Sequence, residues 1–171
     1  MTDALELHRA CSDDGKALWS ILRPTFRAGD SYAVDRDISQ SAALSYWMGG
    51  KNTAYIATRS DQPLGSYYMR PNQDGGGAHV CNCGFVTHPK ARGQGVARVM
   101  LEHALKTATS RGYRAMQFNF VLASNAAAIH LWQSYDFATV GRLPKAFKHP
   151  TLGMVDALVM HRLLGLDNPQ T

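Results

Sequence analysis

The sequence predicts an α/β domain built on one mixed sheet, with strands and helices in the order βααβββαβαββ. Three observations carry that expectation. Apolar runs of strand character alternate with amphipathic helical stretches along the chain. Residues 86–97 (Val86-Thr87-His88-Pro89-Lys90-Ala91-Arg92-Gly93-Gln94-Gly95-Val96-Ala97) end an apolar run in a basic, glycine-rich turn that opens directly into a helix. The strand–helix–strand stretch from Ala78 to Val121 has one short crossover, so its strands should pair in parallel with right-handed topology.

The elements follow in order. Leu5 to Arg9 alternates and reads as a first strand. Ser12 is a good N-cap for a helix to about Leu22, where Pro24 should stop it. A polar stretch, Arg27 to Asp37, leads to a second helix from about Ser39 to Met48, ended by Gly49-Gly50. Thr53 to Arg59 and Leu64 to Arg70 read as strands around the turn Ser60-Asp61-Gln62-Pro63. Asn72 to Gly77 is a loose hairpin turn; its glycines precede no helix, which argues against a phosphate loop. Ala78 to Val86 is the central strand. Val96 to about Arg111 is a helix with Leu101, Ala104, Leu105 and Ala108 on one stripe. Ala115 to Val121 is the next strand, and Asn125 to Ser134 the last helix. Ala138 to Leu143 and Val155 to Leu163 supply two final strands around a basic, proline-containing loop.

The chain has 171 residues, enough for one domain with a sizeable core, and 45% of them are hydrophobic. No repeat, low-complexity segment or linker divides it, so residues 1–171 read as a single domain. No apolar run reaches membrane-spanning length and the first residues lack a signal-peptide core, so a cytoplasmic protein without a membrane partner is expected. The formal charge is +5, but the basic residues are scattered, and no nucleic-acid partner is expected. Three cysteines give no disulfide framework. Cys81 and Cys83 share one face of the central strand and lack zinc spacing, so they read as core thiols and no metal is expected.

The turn at 92–97 carries the first chemical signal. Free N–H groups and the positive end of a helix dipole converge there on one spot. Gly93 and Gly95 let the backbone approach an anion closely, and Arg92 can add a forked contact. An ordinary strand-to-helix turn would share these features. No Gly-Lys-Ser/Thr closes the loop, so it is not a nucleoside-triphosphate loop, and Arg98 stands where a dinucleotide fingerprint needs its third glycine.

The pattern Arg92-x-x-Gly95-x-Ala97, preceded by Val86-x-x-Pro89, resembles the coenzyme A loop of the GCN5-related N-acetyltransferase (GNAT) superfamily. Asn125-Ala126-Ala127-Ala128-Ile129-His130-Leu131-Trp132-Gln133-Ser134-Tyr135-Asp136-Phe137 resembles that superfamily's Asn-x-x-Ala-x-x-Leu-Tyr-x-x-x-Gly-Phe segment. The two occur in the expected order. The resemblance covers nearly the whole chain and implies a GNAT fold with its parallel fourth and fifth strands splayed. It implies acetyl-CoA as cosubstrate, with the backbone of Phe85, Val86 and Thr87 along the pantetheine arm. It places Arg92, Gly93, Gln94, Gly95, Val96 and Ala97 at the pyrophosphate, and Asn125 near the cofactor, although an N-cap role alone would also account for Asn125. A homodimer would match the family's habit.

The chain departs from the pattern in places. Trp132 replaces the tyrosine that often protonates the leaving thiolate, and an indole cannot do so. Tyr135, one turn on, is a possible substitute, although packing is its simpler role. Asp136 replaces a glycine, but Asp tolerates left-handed backbone. The central strand lacks the glutamate base of many relatives. Its one titratable non-thiol side chain is His79, which reads as an exposed strand-end residue or a base.

Asn82 on the central strand and Asn119 on its parallel neighbour read either as groups tying off backbone or as substrate-gripping catalytic residues. His79-Val80-Cys81-Asn82-Cys83-Gly84-Phe85 and Gln117-Phe118-Asn119-Phe120-Val121 resemble segments of a narrower group, the proline-analogue (L-azetidine-2-carboxylate) N-acetyltransferases. The two matching asparagines are 37 positions apart in both, and the resemblance implies the sharper role. An amide cannot act as a base, so it would orient the amine and stabilise the tetrahedral intermediate. The expected activity is direct acetyl transfer to a small amino acid or proline-like imino acid. Alternatives are transfer to another amine (phosphinothricin-type, aminoglycoside, polyamine or peptide N-terminus) or a non-catalytic acyl-CoA sensor.

Overall fold

The computed structural model describes residues 4–165. It has seven strands and four α-helices in the expected order, and the strands lie in one mixed sheet in the order β1-β2-β3-β4-β5-β7-β6. The chain clusters into two compact units, one running to Arg70 with Gly84–Ala104, the other comprising Pro71–Cys83 and the chain from Leu105.

The first unit contains β1 (Glu6–Arg9), α1 (Gly15–Ala28), α2 (Gln40–Met48), β2 (Thr53–Arg59) and β3 (Gln62–Pro71). It also takes the second half of β4 (Val80–Thr87) and most of α3 (Val96–Ser110). β1, β2 and β3 pair antiparallel in succession. One face of this sheet packs on α1 and α2 through Leu18, Ile21, Leu22, Phe26, Ala43, Trp47, Ala54, Ile56, Tyr68 and Val86. Burying a side chain such as Ile21 or Phe26 contributes roughly 1.5–3 kcal/mol. The indole of Trp47 donates to Ser66 Oγ at 2.8 Å, and that hydroxyl donates to the Tyr55 carbonyl at 2.7 Å, so these two buried side chains are satisfied.

Two expectations are corrected in this unit. Ser12 does not cap α1: Ser12–Asp14 form a single 3-10 turn, with the Asp14 carboxylate accepting from Cys11 N–H at 2.8 Å. That bond holds the Asp14 carboxyl below its ordinary pKa. Nor does α1 stop before Pro24. It continues to Ala28 because Thr25 and Phe26 prolong the buried stripe of Ile21 and Leu22. The core gained there outweighs the one backbone bond a proline removes. Beyond it, Arg27 donates to the carbonyls of Arg36 and Ile38, and Arg36 Nε returns a bond to Arg27 O at 2.9 Å. α2 begins as expected, with Ser39 Oγ accepting from Ala42 N–H at 3.2 Å. The β2–β3 turn is tighter than expected: Ser60 and Asp61, with φ of 48° and 60°, form a two-residue connection between the paired Arg59 and Gln62.

Gly84 is packed hard against its neighbours. A Cβ there would lie 2.5 Å from Tyr68 Cε1 and 2.9 Å from the Tyr32 hydroxyl. Gly84→Ala is therefore expected to cost about 1–3 kcal/mol, as overpacking does. Thermal or denaturant unfolding measures it, and an unchanged midpoint would show that both rings yield freely.

The second unit contains the first half of β4, the end of α3, β5 (Ala115–Leu122), α4 (Ala126–Gln133), β6 (Ala138–His149) and β7 (Gly153–Leu163). β4 and β5 pair in parallel over Val80↔Ala115, Cys81↔Met116 and Asn82↔Gln117, and each strand continues past the last of these pairs. β5 pairs antiparallel with β7, with a register shift between Phe118 and Val121. Phe118 stacks on Phe137 at 4.4 Å and meets Trp132 at 4.9 Å, which seats α4 on β5. Asp136 adopts φ 63°, the left-handed geometry expected of it.

The basic loop expected between the last two strands is also corrected. β6 and β7 form one hairpin that closes at His149 and Gly153. Pro144 has no N–H for a ladder, and the register shifts between Leu143 and Phe147. Asp156 anchors that bulge, accepting from Lys145 N–H at 2.9 Å and from Arg142 Nη1 at 2.7 Å. The Lys145 bond, more than the Arg142 guanidinium, holds the Asp156 carboxyl below its ordinary range.

Candidate active site

The predicted phosphate loop lies wholly in the first unit. After β4, His88 Nδ1 accepts from Lys90 N–H at 3.2 Å and Pro89–Ala91 make one 3-10 turn. Gly93 and Gly95 adopt φ of 75° and 77°, and α3 starts at Val96 as expected. Gln94 N–H folds back onto Ala91 O, and Val99 N–H onto Gly95 O. Among the described residues, no hydrogen bond is made by the N–H groups of Gly93, Gly95, Val96, Ala97 or Arg98. Two left-handed glycines and an open helix start thus leave five donors unbonded, a concavity suited to an anion. Gly93 and Gly95 each face open space where a Cβ would stand. The Arg92 side chain is exposed.

Sequence reasoning missed Arg59 at the end of β2. Its Nη1 donates to Gln94 Oε1 at 3.0 Å, while Gln94 Nε2 donates to Lys90 O at 2.9 Å. The residue between the two glycines is thereby held from both ends. Upstream, the Tyr32 hydroxyl donates to Phe85 O at 3.0 Å, and the Phe85 ring stacks on Tyr67 at 5.3 Å. Val86 is buried in the core and Thr87 is half-buried.

The second unit holds Asn82, Asn119 and Asn125. Asn82 is only 5% exposed, and its Nδ2 donates to Gln117 O at 3.0 Å across the last pair of the parallel ladder. Asn119 is exposed. Its Oδ1 accepts from Gln117 Nε2 at 2.9 Å, and its Nδ2 donates to Asn72 Oδ1 at 2.7 Å. Gln117 therefore links the two asparagines, one through its backbone and the other through its side chain. Gln117 and Asn72 are two more residues that the sequence did not single out. Asn125 caps α4, its Oδ1 accepting from Ala128 N–H at 3.2 Å.

Other candidates are placed as follows. His79 is exposed one residue before β4, and its carbonyl accepts from Arg114 N–H at 2.8 Å. Trp132 is buried beside the stacked rings of Phe118 and Phe137, and Tyr135 is half-buried. Cys81 and Cys83 are buried, and burial, followed by the neighbouring Cys81 thiol, pushes the Cys83 thiol well above its ordinary pKa. A protonated, buried thiol is a poor acyl carrier. No group of three His, Cys, Asp or Glu side chains able to hold a metal ion occurs among the described residues. Among the same residues, no helix is long and apolar enough to cross a membrane.

A mixed sheet with parallel β4 and β5, and a glycine turn leading from β4 into α3, is the arrangement that the resemblance to the GNAT superfamily predicts. The family profile described as Acetyltransferase (GNAT) family matches residues 15–137, and the chain belongs to that family. The family's members are acetyltransferases with acetyl-CoA as acyl donor. The N-acetyltransferase aca1 of Schizosaccharomyces pombe is 35% identical over 83 residues, 48% of this chain and 40% of that protein. The chain spans less than half the length of the curated relatives it matches. A GCN5-related N-acetyltransferase from Kribbella flavida superposes with TM-score 0.88 at 39% identity, covering 94% of this chain and 98% of the other. The structure of yncA from Salmonella typhimurium with its cofactor acetyl-CoA superposes with TM-score 0.81 at 18% identity, covering 99% of each chain, a likeness of fold.

Proposed function

We propose that this chain transfers the acetyl group of acetyl-CoA to the nitrogen of a small amino acid or proline-like imino acid, by direct attack in a ternary complex. The observation that carries this reading is the row of neutral amides, Asn82, Gln117 and Asn119, joined by hydrogen bonds on β4 and β5. No carboxylate takes part in those bonds, which disfavours a polycationic amine. Asp156 is committed to Arg142 and Lys145.

The reaction needs a neutral amine. Its lone pair forms the new N–C bond while the carbonyl π pair moves onto oxygen. The tetrahedral intermediate then collapses, the C–S bond breaks, and the coenzyme leaves as thiolate. The nitrogen's proton passes to water, and the thiolate, with a thiol-like pKa of about 8.5, needs no obligatory acid. Asn82 and Asn119 orient the amine and stabilise developing charge as fixed amide dipoles. Gly93, Gly95, Val96 and Ala97 offer N–H groups to the pyrophosphate, Arg92 adds charge, and Gln94 sets the loop's shape. Phe85, Val86 and Thr87 line the pantetheine arm, and Asn125 keeps its cofactor role alongside its capping bond. Association into a homodimer and residence in the cytoplasm belong to the same reading.

Release of the coenzyme thiol, followed with acetyl-CoA against azetidine-2-carboxylate, hydroxyproline, common amino acids, phosphinothricin, polyamines and aminoglycosides, tests it. Turnover confined to the first two supports the reading, and turnover only on another class overturns it. Tight acetyl-CoA binding with no turnover on any amine would make the chain a sensor. Arg59→Met is expected to weaken acetyl-CoA roughly two- to tenfold, the worth of one hydrogen bond that pre-shapes the loop. Calorimetric titration measures it, and an unchanged affinity would show that Gln94 needs no tether.

A further inference from the structure

We infer that Asn72, with Asn119, receives the carboxylate of the amine substrate and so selects amines that carry an acid group. This rests on the amino-acid reading above and adds the residue that enforces it. Asn72 is fixed at its root, because its backbone N–H donates to Val80 O at 2.8 Å. Its side chain is then oriented by the bond that Asn119 Nδ2 gives to Asn72 Oδ1 at 2.7 Å. The orientation of Asn119 is set in turn, because its Oδ1 is taken by Gln117 Nε2 at 2.9 Å.

The direction of these bonds decides what the pair presents. A primary amide has one acceptor oxygen and two N–H donors. Both oxygens already hold a partner. Asn119 keeps one N–H, and Asn72 keeps both of its own, with no partner among the described residues. The pair therefore offers N–H groups, with Asn119 exposed and Asn72 half-buried. A carboxylate accepts such donors, and hydrogen bonds to an ionised acceptor are about twice as strong as neutral ones. An ammonium, a donor itself, gains nothing from them.

Asn72→Asp separates this role from a merely structural one. The variant keeps an oxygen to accept from Asn119, loses both donors and adds a negative charge. With azetidine-2-carboxylate the KM is expected to rise at least about tenfold while the acetyl-CoA KM stays unchanged. With azetidine, which lacks the carboxylate, kcat/KM is expected to stay within about twofold. Asn72→Ser, uncharged and still able to accept, should raise the acid's KM by only about threefold, and unfolding midpoints verify that both variants fold. A parallel loss on both amines, or an acid KM that does not move, overturns the assignment of Asn72 alone. A wild-type chain that acetylates no carboxylate-bearing amine overturns this inference and the amino-acid reading together.

Discussion

Asn119→Ala is expected to lower kcat or raise the KM for the amine at least tenfold while acetyl-CoA binds as before, a loss of about 1.4 kcal/mol or more in transition-state stabilisation. The side chain is exposed, so its removal opens no core cavity. It does release Gln117 Nε2 and Asn72 Oδ1 to water, which an exposed site tolerates at little cost in stability. Asn82→Ala should behave differently. Asn82 is buried, and its loss leaves the Gln117 carbonyl without its side-chain donor, adding about 1–3 kcal/mol of destabilisation to any kinetic defect. Steady-state kinetics on both variants, with unfolding midpoints beside them, separates the two effects. Near-normal kinetics in Asn119→Ala would remove Asn119 from the active site.

Gly95→Ala should weaken acetyl-CoA by about tenfold or more. At φ 77° any L-residue carries roughly 1–2 kcal/mol of strain. The added Cβ meets nothing in the protein, so its steric effect falls on whatever approaches the unbonded N–H groups from outside. Gly112→Ala is the matched control. It has φ 81° and equally open surroundings, but lies beyond the other end of α3. Both substitutions should cost similar stability, and only Gly95→Ala should move the acetyl-CoA Kd. Equal affinities in the two variants would mean that the coenzyme does not approach this turn.

The sequence made the shape of the glycine turn from β4 into α3 legible because everything that forms it is local. A strand end, two glycines and a helix start lie within twelve residues, and α3 begins at Val96 as expected. The same holds for Ser39 capping α2 and for the left-handed Asp136. Errors arose where distant packing overrode a local signal. Pro24 reads as a helix stop, and the burial of Phe26 against the sheet reverses that. The basic segment around Lys145 reads as a loop, and the Asp156 clasp turns it into bulged strand. Arg59 and Asn72 left no signal at all. Their partners lie 35 and 47 residues away, and neither residue type is unusual in a turn or at a strand end.

The unequal burial of the three cysteines has a practical consequence. Cys81 and Cys83 are sealed in β4, while Cys11 is exposed between β1 and the first turn. Maleimide chemistry at neutral pH should thus find one ready sulfur, away in sequence from both the glycine turn before α3 and the asparagines. The wild-type chain already carries a single attachment point for a fluorophore, spin label or surface tether, and needs no cysteine removed to use it.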